Sequence, residues 1–198
     1  MAETGITGVV LAGGLGRRMG GVDKGLQLLD GKPMVQWSIE RLRPQVDSII
    51  INANQNLDRY RAFGLPVQPD IVEGFAGPLA GLHAALFHTA SPLVVTVPCD
   101  SPFLPADLVP RLLDGLSRES ADLAVARTVG RPHPVFCLCR RSVLDHLSRY
   151  LAGGGRKVET WYSTLAVSIV DFDDQPEAFG NINTAEELAR CQPPVARE

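Results

Sequence analysis

Apolar positions along the chain fall into two rhythms, short β-rich runs and amphipathic stretches, and the two alternate throughout. Residues 6–12 (ITGVVLA) read as a buried first strand running into glycine. A loop is expected over 13–32, with glycine at 13, 14, 16, 20, 21, 25 and 31. Pro33 then opens a helix through about Arg41, since proline suits a helix's first turn. Ser48–Asn52 (SIIIN) is a second strand, 57–63 a short helix and Val67 the centre of a third strand, ahead of a loop over 69–78. A helix over 79–89 precedes another buried strand, Leu93–Pro98 (LVVTVP), and a helix within 106–116, where Pro110 lies in the first turn or kinks it. Strands follow around 123–127 and 135–139, then helices near 142–151 and 157–163 and a last strand over 166–172. A C-terminal helix from Thr184 opens with a capping box, Glu187 reaching back to the threonine amide.

Strands alternating with helices predict an α/β fold: a three-layer α/β/α sandwich around a mostly parallel sheet, a Rossmann-like nucleotide-binding architecture. Ligands of such folds sit beyond the carboxyl ends of the strands, so the loops after Ala12, Asn52, Val67 and Pro98 should line one cleft. With 198 residues and no repeat, low-complexity tract or linker, residues 1–198 read as one domain. Such a chain needs neither a disulfide nor a metal to hold its core. An apolar fraction of 45% excludes disorder, and the lack of a long apolar run excludes a membrane-spanning helix. No basic segment followed by an apolar core stands at the N-terminus, and four cysteines lack framework spacing; both point to reduced thiols in a cytoplasmic protein.

The formal charge of −3 and pI near 5.8 argue against a nucleic-acid partner. Lysine is nevertheless rare: Lys24, Lys32 and Lys157 stand against sixteen arginines. Most of these arginines are ordinary surface, but some are suited to grip phosphate bidentately. Arg17, Arg18 and Lys24 outweigh Asp23 in the glycine-rich stretch that follows the first strand, where backbone N–H groups can face an anion. The dinucleotide fingerprint G-x-G-x-x-G fails, because Met19 stands where its last glycine belongs, and no G-x-x-x-x-G-K-[ST] occurs. What is left is a longer loop ending in a lysine, suited to a nucleoside triphosphate. Asp100, directly after the strand Leu93–Pro98, offers a hard oxygen ligand for Mg²⁺, although an aspartate there also serves as a helix cap or Asx-turn. Asp70 could aid nucleoside or metal binding, and Asn52 and Asn54 could read a base edge or a ribose. Together these groups suggest nucleotidyl transfer, which needs charge neutralisation and in-line positioning more than a covalent nucleophile.

Several motifs in turn resemble the molybdenum cofactor guanylyltransferase (MobA) family, within the nucleotidyltransferase superfamily that includes sugar-nucleotide pyrophosphorylases. They are LAGG-x-GRRMGG-x-DKGL at 11–26, NAN at 52–54, GPLAG at 77–81, PCDSPF at 98–103, HPVF at 133–136 and NINTAEEL at 181–188. The resemblance spans nearly the whole chain. It implies Mg²⁺-dependent transfer of GMP from GTP to molybdenum-bound molybdopterin, with pyrophosphate released and no tightly held organic cofactor. Leu11, Ala12, Gly13, Lys24, Asn52, Asp70 and Asp100 would bind GTP, with Asp100 also the metal ligand. Arg18, Gly21, Arg156, Asn181 and Asn183 would face the molybdopterin, and Lys24, Asp100 and Arg18 would act in catalysis. The nucleotide-binding half would run to about residue 104 and the acceptor-binding half from about 105. Partner proteins that deliver or accept the labile cofactor are implied as well, with no nucleic acid and no membrane. Cytidylyltransferase relatives carry LAAG in place of Ala12-Gly13-Gly14, so Gly13 would leave room for a guanine amino group. The glycine run 153–155 would order around Arg156 when molybdopterin binds.

Cys137 and Cys139 share a strand face with Val135 while Phe136 and Leu138 lie opposite, which reads as core and not as a zinc pair. His133-Pro134 either lines the substrate cleft or makes a structural turn. Two other classes remain open on residues alone: a nicotinamide oxidoreductase, which the broken fingerprint disfavours, and a nucleotide sensor that would bind GTP with no use for Asp100 or an acceptor.

Overall fold

The computed structural model describes residues 5–14, 23–72, 77–182 and 187. Strands β1 (Ile6–Leu11), β2 (Leu28–Leu29), β3 (Lys32–Pro33), β4 (Ser48–Asn52), β5 (Val67–Gln68), β6 (Leu93–Pro98), β7 (Leu123–Thr128), β8 (Arg131–Arg140) and β9 (Val167–Asp171) alternate with helices. These are α1 (Met34–Leu42), α2 (Leu57–Arg61), α3 (Pro78–His88), α4 (Leu108–Arg118), α5 (Leu144–Ala152) and α6 (Val158–Tyr162). Seven strands form one sheet in the order β5-β4-β1-β6-β8-β7-β9. Every pairing is parallel except those of β8, which runs against both β6 and β7.

The helices divide between the two faces according to their apolar stripes. On α1, Met34, Val35, Ser38, Ile39 and Leu42 are buried; on α4, Leu108, Val109, Leu112, Gly115 and Leu116 are, both at helical spacing. These helices, with Tyr60 of α2, build one core against the sheet. α3, α5 and α6 build the other, from Leu79, Leu82, Leu86, Leu147, Leu151 and Trp161. β6 is buried at every position, as a central strand covered on both faces must be. The result is the expected three-layer α/β/α sandwich. No helix among the described residues is long and apolar enough to cross a membrane.

The chain departs from the sequence expectations in a few places. Pro33 does not open α1: it closes a small β2–β3 hairpin and stands at the N-cap. The turn of that hairpin is Asp30-Gly31, with φ of 52° and 72°, the backbone a tight two-residue hairpin needs. Pro110 occupies the first turn of α4 and does not kink it. β8 starts four residues before the expected 135, so His133 and Pro134 lie within a strand, neither in a turn nor in a loop. A register shift in the β7–β8 pairing, between Val125 opposite Cys137 and Ala126 opposite His133, breaks strict alternation there. Val135 therefore packs with the core of Phe136 and Leu138, away from the face of Cys137 and Cys139, where simple alternation had put it. Both cysteines are core residues with free thiols. Thr184 and most of the expected C-terminal helix lie outside the described residues; Glu187 is helical.

Candidate active site

Parallel pairing sets the ends of three strands level. Leu11 stands opposite Asn52 on one side and Pro98 on the other. The ladder continues one step past β1, with Ala12 N–H donating to Asn52 O at 2.8 Å and Cys99 N–H to Leu11 O at 3.1 Å. The sheet order changes direction at β1, so the loops after β1, β4, β5 and β6 open into one crevice at the carboxyl edge.

One side of that crevice is a closed polar clamp. Asn52 Nδ2 donates to Asp70 Oδ1 at 2.9 Å and to Gln68 O at 3.1 Å. Asn54 Nδ2 donates to Asp70 Oδ2 at 2.8 Å and to Gly13 O at 3.2 Å, while Asp70 N–H donates to Asn54 Oδ1 at 2.8 Å. Both carboxylate oxygens of Asp70 thus turn inward onto the two asparagines, and both amide N–H groups are spent inside the protein. Of the two amide oxygens, Asn54 Oδ1 is taken by Asp70 N–H, while Asn52 Oδ1 lies against α3 at Gly81. A Cβ at Gly13 would lie 2.8 Å from Asn54 Nδ2 and 3.0 Å from Asn52 Oδ1. The clamp crowds that space, so glycine is needed at 13 to admit the asparagines. Gly81 of α3 meets the same constraint from the other side, against Asn52 Oδ1 and Leu11.

The opposite side holds the charged pair. Lys24 begins a single 3₁₀ turn, Lys24–Leu26, and its Nζ lies 3.2 Å from Asp100 Oδ2. The side chains are 21% and 11% exposed, so the pair borders the crevice without being sealed from it. Asp100 follows β6 in a loop tied down by α1 and by residues 181–182. The Ser38 hydroxyl of α1 lies within bonding reach of Pro98 O and Ser101 O, and Ile182 N–H donates to Asp100 O at 2.9 Å. The buried Ser101 hydroxyl donates to Asn181 Oδ1 at 2.6 Å. Among the described residues no three histidine, cysteine or carboxylate groups gather at one point. A single, part-buried carboxylate at the carboxyl edge of the sheet fits Mg²⁺, an ion that keeps waters and takes its remaining oxygens from substrate.

Of the acceptor-side residues, Asn181 is joined to the Asp100 loop as described. Arg156 sits past the C-terminus of α5, where its Nη1 donates to Leu151 O at 2.9 Å and Gly155 O at 2.7 Å. α5 starts where β8 ends, beside the start of β6, and packs on α3, so its far end returns to the crevice edge. The glycine run ahead of Arg156 is already wound. Gly153, Gly154 and Gly155 N–H groups donate to Arg149, Leu151 and Tyr150 carbonyls, and the Tyr150 hydroxyl donates to Lys157 O. Gly154 takes φ 85°, and a side chain at Gly155 would collide with the Tyr150 ring. The segment has the form of a helix stop. His133 stacks on Phe179 at 4.8 Å and meets Thr128 Oγ1 at 2.6 Å; burial holds its pKa below the ordinary value. Arg17, Arg18, Gly21 and Asn183 lie outside the described residues. Sequence reasoning missed Ser38, Ser101, Asn56 and Tyr60, whose roles depend on partners distant in the chain.

A nucleotide-binding α/β protein with a lysine–aspartate pair at its strand ends is the class these features define. Residues 8–166 match the model of the MobA-like NTP transferase domain. The molybdenum cofactor guanylyltransferase of Cupriavidus necator is 54% identical over 193 residues, covering 95% of this chain and 96% of that one. Its counterpart in Shewanella putrefaciens is 49% identical, covering 92% and 93%. Among solved structures, the molybdopterin-guanine dinucleotide biosynthesis protein A of Archaeoglobus fulgidus superposes with a TM-score of 0.78 at 26% identity, covering 94% of this chain and 96% of that one. The chain belongs to the MobA-like NTP transferase family.

Proposed function

We propose that this protein is a molybdenum cofactor guanylyltransferase: it transfers GMP from GTP to molybdenum-bound molybdopterin and releases pyrophosphate. The observation that carries the reading is the Lys24–Asp100 pair, held at the carboxyl edge of β1 and β6 in a chain 54% identical to a protein of that name. In the reaction an oxygen of the acceptor's phosphate attacks the α-phosphorus of GTP. The new P–O bond forms as the bond to the bridging oxygen breaks, and pyrophosphate leaves with that electron pair.

The chain's own groups supply position and charge. Ala12, Gly13 and the clamped Asn52 form the nucleoside wall, with Asp70 acting through the two asparagines it orients. Leu11 underlies this wall at the end of β1. Lys24 is an ammonium on a flexible stem, able to exchange an oxygen of Asp100 for one of the phosphates. Asp100 is the residue that would hold Mg²⁺, which when bound neutralises phosphate charge. Arg18 and Gly21 are assigned to molybdopterin binding, and Arg18 also to catalysis, by their places in the family motif. Arg156, Asn181 and Asn183 belong to the acceptor-binding half, from about residue 105, while the nucleotide-binding half runs to about 104. The buried free thiols of Cys99, Cys137 and Cys139 suit a reducing cytoplasm. Proteins that deliver or take up the labile cofactor are the expected partners.

The test compares GTP, CTP and ATP in a pyrophosphate-release assay with molybdenum-loaded molybdopterin. Release is expected with GTP, and a preference for CTP would move the assignment to a cytidylyltransferase. Asp100→Asn should lower the rate by roughly 10²–10³-fold, the scale of removing one electrostatic group from such a site. Full activity in that variant would overturn the role given to Asp100.

A further inference from the structure

Asp23, Asn56 and Tyr60 form a bonded group that the chemistry above leaves unused. Tyr60 of α2 is fully buried, yet its hydroxyl donates to Asp23 Oδ1 at 2.5 Å. Asn56 Nδ2 donates to the other oxygen, Asp23 Oδ2, at 3.0 Å. Each oxygen of one carboxylate is therefore taken by a neutral donor, and both donors come from a single short segment. Asn56 stands just ahead of α2 at φ 51°, a left-handed conformation that asparagine tolerates better than most residues. Burial, chiefly, pushes the Tyr60 hydroxyl up from its ordinary value, so it stays protonated and remains a donor.

The same tyrosine presses on the other side of Lys24. A Cβ at Gly25 would lie 2.7 Å from the Tyr60 hydroxyl and 3.2 Å from Cys99 Sγ. The turn closes on itself as well, with Leu26 N–H donating to Asp23 O at 3.3 Å and Gln27 N–H to Lys24 O at 3.0 Å. Lys24 is thus bracketed: the residue before it is bonded to Tyr60, and the residue after it fits only as glycine against the same hydroxyl. Asp23 is also the carboxylate next to Lys24 in the chain. Left unheld, it could pair with the lysine ammonium or face the incoming triphosphate with a like charge.

We propose that Tyr60 is a positioning residue for nucleotidyl transfer. Together with Asn56 it turns the Asp23 carboxylate away from Lys24 and fixes the backbone on both sides of that lysine, so that the ammonium stays beside Asp100 to meet the phosphates. The proposal rests on the reading of Lys24 as the phosphate contact.

The experiment is a double-mutant cycle in the full chain, using Tyr60→Phe, Lys24→Ala and the two combined. GTP affinity is read by calorimetry, and KM is read separately for GTP and for molybdopterin. Tyr60→Phe is expected to weaken GTP binding and raise its KM by about tenfold, the scale of a modest misplacement in a preorganised site. KM for molybdopterin should stay unchanged, and the effect should vanish in the Lys24→Ala background. Should Tyr60→Phe not fold, Asn56→Gly takes its place, removing the second donor while keeping a left-handed backbone accessible. Equal effects in both lysine backgrounds, or on both substrates, would mark the tyrosine as merely structural and overturn the proposal. Wild-type GTP binding in Tyr60→Phe beside weakened binding in Lys24→Ala would overturn the proposal alone. Unchanged GTP binding in Lys24→Ala would overturn the reading of Lys24, and the proposal with it.

Discussion

A methyl group at position 13 would lie 2.8 Å from Asn54 Nδ2, on a side chain that three hydrogen bonds already fix. It would also sit 3.0 Å from Asn52 Oδ1. Gly13→Ala is therefore expected to destabilise the fold by about 1–3 kcal/mol, as overpacking does, and to weaken GTP binding. Thermal unfolding and calorimetric titration with GTP check the two effects. Were Gly13 simply room for a base, GTP affinity would fall with no change in stability. The residue types of this cluster were legible in the sequence, because polar groups just past buried strands mark the ligand edge. Their internal partners were not. The two oxygens of Asp70 are bonded to Asn52 and Asn54, eighteen and sixteen residues away.

At the scale of elements, the loop after β6 joins the two halves of the site. Ser101 sits beside Asp100 and donates to Asn181, 80 residues further on. Ser101→Ala removes this bond to the exposed Asn181 side chain, a loss of about 0.5–1.5 kcal/mol. The expected signature is a raised KM for molybdopterin with GTP affinity held, measured by steady-state kinetics with each substrate varied in turn. Boundaries of the long elements followed from apolar spacing to within a few residues, β6 without any error. The β2–β3 hairpin was missed although its signal was present, since Asp30-Gly31 is a favoured two-residue turn. Its strands of two residues each are too short for any periodicity to register. Val135 was misplaced for a different reason. A bulge is set by pairing with β7, which the residues of β8 alone do not disclose.

The whole molecule couples its stability to pH through two histidines on opposite sides of the sheet. His83 of α3 is buried, with Nε2 2.9 Å from Ser148 Oγ of α5, and His133 is wedged against Phe136 and Phe179. Burial lowers both pKa values from the ordinary 6.5, so the unfolded chain binds protons more readily than the folded one. Stability should hold above about pH 6.5 and fall as pH drops below it, while His83→Gln should flatten part of that slope; urea midpoints from pH 8 to pH 5 measure both. The alternation of buried runs and amphipathic helices decided the layered α/β class within the sequence itself, because burial periodicity is a local property of the chain. Local, too, was the assignment of Gly13, Asn52 and Asp100 to one edge, since each ends or closely follows a strand. Only the tertiary structure decided which of these groups face one another. Hydrogen-bond direction depends on residues far apart in sequence, and it is this that turns Asp70 inward, seats Asp23 on Tyr60 and leaves Lys24 beside Asp100.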